Sequence, residues 1–259
     1  MEKGPRLQVA LDLMNGNRAI QIAREAVEGG VDIIEAGTPL IKSEGAKIIK
    51  ELKREFPNIP IVADMKTMDV GSFEVEIAGK SGADFVNVLA AADDDTIREA
   101  VKAGNQYGCG IIVDLINCPD PVGRAKTAEK LGASGICVHV GIDEQMRGVE
   151  PLDILKQVVE GVSLPIWAAG GINDATAPKI VEAGALVVIV GGAIIKAEDV
   201  TGAARRLKQS IITRTPSEGI IRKYKMEDIR EALCKVSTPN ISDAMHRQGA
   251  MKDIIQRLS

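Results

Sequence analysis

The sequence predicts an α/β protein, a (β/α)8 TIM barrel with a short helical C-terminal extension. Three observations carry that prediction. Eight short β-branched runs recur along the chain, with starts 21 to 30 residues apart. The segments between them space apolar residues as a helix does, for example Ile48, Leu52 and Phe56, or Leu152, Leu155, Val158 and Val159. Four joints share one pattern, Gly29-Gly30-Val31-Asp32, Ser81-Gly82-Ala83-Asp84, Leu131-Gly132-Ala133-Ser134 and Ala183-Gly184-Ala185-Leu186, each with glycine where a helix should end.

The runs are residues 7–13, 31–36, 60–65, 84–89, 110–115, 135–140, 165–169 and 186–190. Most are apolar on both faces, as expected of parallel strands covered by helices. Eight strand–helix units ending near residue 210 suit a closed barrel. A doubly wound open sheet is the alternative, but no G-x-G-x-x-G follows the first run. Residues 1–210 are therefore read as the barrel, 211–225 as a polar linker and 226–259 as a separate, partly helical segment. The last piece is too short for a core of its own.

Composition narrows the function. At 259 residues, with 45% hydrophobic and 26% charged, the chain is ordinary for a globular protein, which excludes a disordered one. The net charge is 32 − 36 = −4 and aromatics are 2%, so neither a basic footprint nor stacking platforms for nucleic acid are present. The longest apolar run, residues 185–190, is far short of a membrane span. Cysteines at 109, 118, 137 and 234 form no C-x-x-C, which argues against zinc. Free thiols and an N-terminus without a signal-peptide core point to the cytoplasm.

Barrel enzymes work at the carboxyl ends of their strands. Here those ends carry Asp12, Glu35, Asp64 with Lys66 and then Asp69, Asp114 and His139. Five of the first six strands thus end in an ionisable group, and buried charges must pair or bind a metal. Glu35 and Asp64 lie on adjacent strands, so both can reach one hard cation such as Mg²⁺. Lys66, two residues after Asp64, falls on the same side of an extended chain. His139 at a strand mouth suits acid–base work. Gly170-Gly171 and Gly191-Gly192 follow strands seven and eight, where backbone N–H groups can approach a phosphate. Together these residues suggest metal-assisted chemistry on a small sugar phosphate through an enediolate.

Val9-Ala10-Leu11-Asp12, Ile33 to Lys42 with its Glu35-Ala36-Gly37-Thr38-Pro39 centre, and Ala63-Asp64-Met65-Lys66-Thr67-Met68-Asp69 closely resemble the 3-hexulose-6-phosphate synthase family of the orotidine 5′-monophosphate decarboxylase suprafamily. Val113-Asp114-Leu115-Ile116, His139 to Gln145 and Ala169-Gly170-Gly171-Ile172 continue the match, which spans about residues 6 to 208. The resemblance implies reversible aldol addition of formaldehyde to D-ribulose 5-phosphate, giving D-arabino-hex-3-ulose 6-phosphate. It implies Mg²⁺ on Glu35 and Asp64, proton transfer at carbon 1 by His139, and stabilisation of the enediolate by Lys66. Asp12 and Asp114 would orient substrate or a catalytic water. Asp69 would reach a neighbouring subunit's site, which implies a homodimer.

The rival by resemblance is 3-keto-L-gulonate 6-phosphate decarboxylase. Those enzymes carry Glu where Asp114 stands and Arg where this chain has Ile142; both departures favour the synthase. They also carry Arg where this chain has Gly192, so backbone amides would bear more of the phosphate binding. From another class, an idle barrel could serve as a scaffold, though the costly acidic set argues against it. Finally, Val236 to Met245 resembles the opening of RraA-like proteins, so 226–259 is read as an incomplete RraA-like segment, with no activity assigned to it and His246 taken as structural.

Overall fold

The computed structural model describes residues 4–216. Most of the expected linker and the whole RraA-like segment, with Cys234 and His246, lie outside the described residues.

The elements follow in order: β1 (Arg6–Leu11), α1 (Gly16–Glu28), β2 (Ile33–Ala36), α2 (Thr38–Glu44), α3 (Lys47–Glu55), β3 (Ile61–Thr67), α4 (Gly71–Lys80), β4 (Phe85–Leu89), α5 (Asp94–Tyr107), β5 (Gly110–Asp114) and α6 (Pro121–Lys130). Then come β6 (Gly135–His139), α7 (Ile142–Met146), α8 (Leu152–Gly161), β7 (Ile166–Ala169), α9 (Ala177–Glu182), β8 (Val187–Val190), α10 (Gly192–Ile195) and α11 (Val200–Thr213). All eight strands are parallel, and β1 pairs with both β2 and β8, which closes the barrel and removes the open-sheet alternative. The fold class is the (β/α)8 barrel that the strand spacing predicts.

Alternation along each strand divides the apolar residues into two cores. Leu7, Val9 and Leu11 face the helices, while Ala10 faces the barrel axis with Ile33, Val62, Ile112, Trp167 and Val187. The interior is therefore a packed plug rather than a channel. Only its upper end is free to carry polar chemistry.

The four glycine joints are one structure repeated. Gly30, Gly82, Gly132 and Gly184 have φ of +98°, +95°, +92° and +106°. Around Gly30 the N–H of Val31 bonds the Ala26 carbonyl (3.1 Å) and that of Gly30 bonds Val27 (3.0 Å). The same pair of bonds recurs at the other three joints. This is the Schellman closure, which favours glycine because a side chain is strained at positive φ.

The residue that ends each joint then fixes the next strand. Asp32 accepts the Leu7 N–H (2.7 Å) while its own N–H bonds the Leu7 carbonyl (2.9 Å). Asp84 grips Ile61 in the same way (2.7 and 2.8 Å), and Ser134 grips Ile111 (3.1 and 2.8 Å). Lys208 and Lys53 donate in turn to Asp32 and Asp84 (2.6 and 2.8 Å). At the fourth joint Leu186 makes only the backbone half, to Ile166 (2.9 Å). These clamps sit at the amino ends of the strands, away from the chemistry.

One boundary differs from the sequence reading. α11 runs to Thr213, three residues past the expected end of the barrel at 210. Ser210 and Ile211 are buried on it, and the Ser210 hydroxyl donates to the Leu207 carbonyl (2.9 Å). The polar look of the start of the expected linker hides an apolar face, Ile211, that still has a core to cover.

Candidate active site

The inward-facing positions become polar toward the carboxyl ends of the strands. β1 contributes Gln8, Ala10 and then Asp12; β2 contributes Ile33 and Glu35; β3 contributes Val62, Asp64 and Lys66. Glu35 pairs in register with Val62, so Asp64 lies one inward step beyond it on the neighbouring strand. β4 adds Asn87, β5 adds Asp114, and β6 adds Cys137 and His139.

Four of these residues form one continuous chain. Lys66 Nζ donates to both oxygens of Asp64 (3.0 and 2.9 Å) and to Asp114 Oδ2 (2.9 Å). Asp114 also accepts the Ile116 N–H (3.0 Å) and faces His139 Nδ1 at 3.0 Å. Burial alone would raise the Asp114 carboxyl, but His139 and Lys66 together hold it down to about 2. It is therefore an ionised acceptor. An ionised Asp114 can only accept, so Nδ1 of His139 donates to it and Nε2 is the ring nitrogen left over. Lys66 is pulled both ways, by burial against its charge and by Asp114 and Asp64 in favour of it; the carboxylates win and keep it cationic.

Lys66 reaches this position by an unexpected backbone. The pairing of β3 with β4 shifts register between Ala63 and Thr67, and Lys66 has φ of +50°. The strand is bulged here, not regularly extended as the two-residue spacing suggests. Holding a lysine in the left-handed region costs about 1–3 kcal/mol and marks a place where surrounding contacts impose the geometry.

Across the mouth stand Asp12 and Glu35. Glu35 is buried and its carboxyl is raised well above the usual range, by burial first and then by the charges of Asp64 and Asp12. Asp12 opens to solvent at the mouth, yet the enclosing walls and then Asp64 raise its carboxyl too. It sits where the ends of β1 and β2 approach closely. A Cβ at Gly37 would lie 2.3 Å from Asp12 Oδ1 and 2.8 Å from the Leu11 carbonyl, so no side chain fits there. Thr38, next in sequence, donates its hydroxyl to Asp64 Oδ2 (2.8 Å).

Four carboxylates thus face one ammonium and an imidazole. Asn87 adds a buried carbonyl oxygen with no hydrogen-bond partner, and its amide nitrogen lies 3.4 Å from Asp64. Excess negative charge, hard oxygen donors and an unsatisfied buried oxygen fit a divalent cation on Glu35 and Asp64. A different trio, Asp114, Cys137 and His139, brings its donor atoms within 4.8 Å of one another. It suits a hard divalent cation less well, because burial pushes the Cys137 thiol well up, which keeps it protonated.

The remaining expected residues line the rim. Gly170 and Gly171 both take positive φ, +115° and +65°, and Gly191 precedes the single turn of α10 that Gly192 opens. Asp69 is exposed beyond β3 and makes no hydrogen bond or ion pair with the described residues. Ile142 is 74% exposed at the start of α7. Sequence reading passed over Gln8, Thr38 and Asn87. Gln8 and Asn87 are the polar exceptions inside runs read as apolar, and that exception was the available signal.

Comparisons with known proteins identify the family. The orotidine 5′-phosphate decarboxylase / HUMPS family model matches residues 5–207. The chain is 44% identical over 206 residues to the 3-hexulose-6-phosphate synthase of Mycobacterium gastri, covering 80% of this chain and 99% of that one. The crystal structure of 3-hexulose-6-phosphate synthase from Salmonella typhimurium superposes with a TM-score of 0.78 at 37% identity, over 81% of this chain and 99% of the other. More distant is the 3-keto-L-gulonate-6-phosphate decarboxylase of Vibrio cholerae, with a TM-score of 0.72 at 30% identity over 83% and 100% of the two chains. A closed parallel barrel, an Asp–Lys–Asp–His chain at its mouth and this extent of similarity lead to one conclusion: the chain belongs to the orotidine 5′-phosphate decarboxylase / HUMPS family.

Proposed function

We propose that this protein is an aldehyde-lyase of the 3-hexulose-6-phosphate synthase type, which reversibly joins formaldehyde to D-ribulose 5-phosphate to give D-arabino-hex-3-ulose 6-phosphate. The observation that carries the reading is the Asp64–Lys66–Asp114–His139 chain, in which Asp114 takes His139 Nδ1 and so leaves Nε2 to act on the substrate. Nε2 takes a proton from carbon 1 of the ketose. The electron pair left behind delocalises onto the carbon 2 oxygen as an enediolate, and Lys66 lies where its ammonium can offset that charge. Carbon 1 then attacks the aldehyde carbon, the new bond forms, and the aldehyde oxygen takes up a proton to become a hydroxyl. Asp12 and Asp114 orient the substrate and a catalytic water.

Glu35 and Asp64 would hold Mg²⁺, which would supply Lewis-acid stabilisation of the enediolate charge. The Gly170-Gly171 and Gly191-Gly192 loops would take the phosphate through backbone N–H groups. The decarboxylase reading is weaker, because the apolar, exposed Ile142 offers no cationic contact. A homodimer with shared sites accords with exposed Met68, Val70 and Phe73 around Asp69, which has no partner among the described residues. We also propose a cytoplasmic location without nucleic-acid or membrane partners; among the described residues no helix is long and apolar enough to cross a membrane. Residues 226–259 are proposed as an RraA-like segment joined by the linker.

Exchange of the carbon 1 proton tests the reading directly. With ribulose 5-phosphate and Mg²⁺ in D₂O, and no formaldehyde, NMR should show that proton replaced by deuterium. His139→Gln should slow the exchange by about 10²–10⁴-fold. A parent enzyme that catalyses no exchange would refute the enediolate.

A further inference from the structure

Gln8 is wholly buried at the centre of an otherwise apolar barrel floor. A polar amide there is costly unless both its ends are bonded. Both are. Trp167 Nε1 donates to Gln8 Oε1 (3.2 Å), and Gln8 Nε2 donates to Glu35 Oε2 in a short contact. An indole N–H can only donate, so the amide oxygen must face Trp167 and the NH₂ must face Glu35.

The indole is itself fixed. Its ring meets Phe85 edge-on, with centroids 5.7 Å apart and planes at 60°. On another side it fills the space left by Gly135, where a Cβ would lie 2.2 Å from Trp167 Cζ3. Phe85 and Gly135 therefore hold Trp167, Trp167 sets Gln8, and Gln8 anchors one oxygen of Glu35. Among the described residues no other hydrogen bond holds the Glu35 carboxylate.

We infer that Gln8, locked in orientation by Trp167, is a positioning residue: it holds Glu35 Oε2 so that the other carboxylate oxygen is presented at the mouth as a cation ligand. The inference rests on the proposed reading of Glu35 as a ligand and extends it to a pair of residues in the floor. Partners that orient a metal ligand commonly change metal affinity by about 10–100-fold when removed.

Mn²⁺ binding to the substrate-free protein, followed by the EPR signal of the free ion, reads this without any turnover. Gln8→Met keeps the volume and removes the amide; Trp167→Phe removes the donor that sets it. The expected result is a dissociation constant raised about 10–100-fold in Gln8→Met and raised by less in Trp167→Phe, with the melting temperature of the cation-free protein measured alongside. An unchanged constant in Gln8→Met overturns the inference; if that variant fails to fold, an unchanged constant in Trp167→Phe does so. Binding that is lost in Glu35→Gln but intact in Gln8→Met removes the positioning role alone. A parent protein that binds no Mn²⁺ removes both the positioning role and the reading of Glu35 as a ligand.

Discussion

Asp114 is the residue on which the site turns. It is almost fully buried, and three donors converge on it from β3, β6 and its own loop. Its folded-state pKa, about 2, lies below the ordinary 3.8. The sign follows from linkage: a depressed carboxyl contributes stability that is present above about pH 3.8 and is lost as pH falls through about 2. Asp114→Asn should therefore destabilise the protein by about 3–5 kcal/mol near neutral pH, the usual effect of stripping one partner from a buried pair. Its deficit against the parent should narrow as acid is added, which urea unfolding at a series of pH values would reveal. A constant deficit down to pH 2 would mean the carboxylate is not held by Lys66 and His139. The sequence made Asp114 visible as a charged strand end. It did not make Gln8 or Asn87 visible, because a single neutral polar residue inside a β-branched run looks like noise until its neighbours across the barrel are known.

At the scale of elements, the four glycine joints were readable in full. Their glycines take the positive φ that the pattern predicts, and even the fourth position of each has a purpose. Asp32, Asp84 and Ser134 return a side-chain bond to the strand beside them, whereas Leu186 cannot. Asp32→Ala should cost about 1–3 kcal/mol, since it leaves the Leu7 N–H without its acceptor and Lys208 without its partner. Thermal unfolding would measure that loss, and kcat and KM should stay at the parent values because the clamp lies at the opposite end of the strands. A change in KM with stability intact would contradict this division of labour. The bulge in β3 was not readable. Nothing in Ala63-Asp64-Met65-Lys66-Thr67 marks a left-handed residue, and no glycine announces it. The close packing at the mouth imposes it, and such long-range constraint has no local signature. The last turn of α11 was missed for a related reason, since Ile211 counts as core only when α11 is seen against the barrel.

At the scale of the molecule, the barrel separates a clamped floor from a charged mouth, and spacing alone was enough to predict that closure. Among the described residues Asp69 has no hydrogen-bond or ion-pair partner. If subunits share sites, mixing Asp69→Ala with His139→Gln, each inactive alone, should recover formaldehyde-dependent activity as mixed dimers form; no recovery would place Asp69 outside the chemistry. The central claim is narrower and is tested most directly by formaldehyde consumption. Purified protein with ribulose 5-phosphate and Mg²⁺ should consume formaldehyde one-for-one with hexulose 6-phosphate formed, and Glu35→Gln should abolish that consumption. Formaldehyde that persists in the parent reaction, or is consumed equally by Glu35→Gln, would contradict the account.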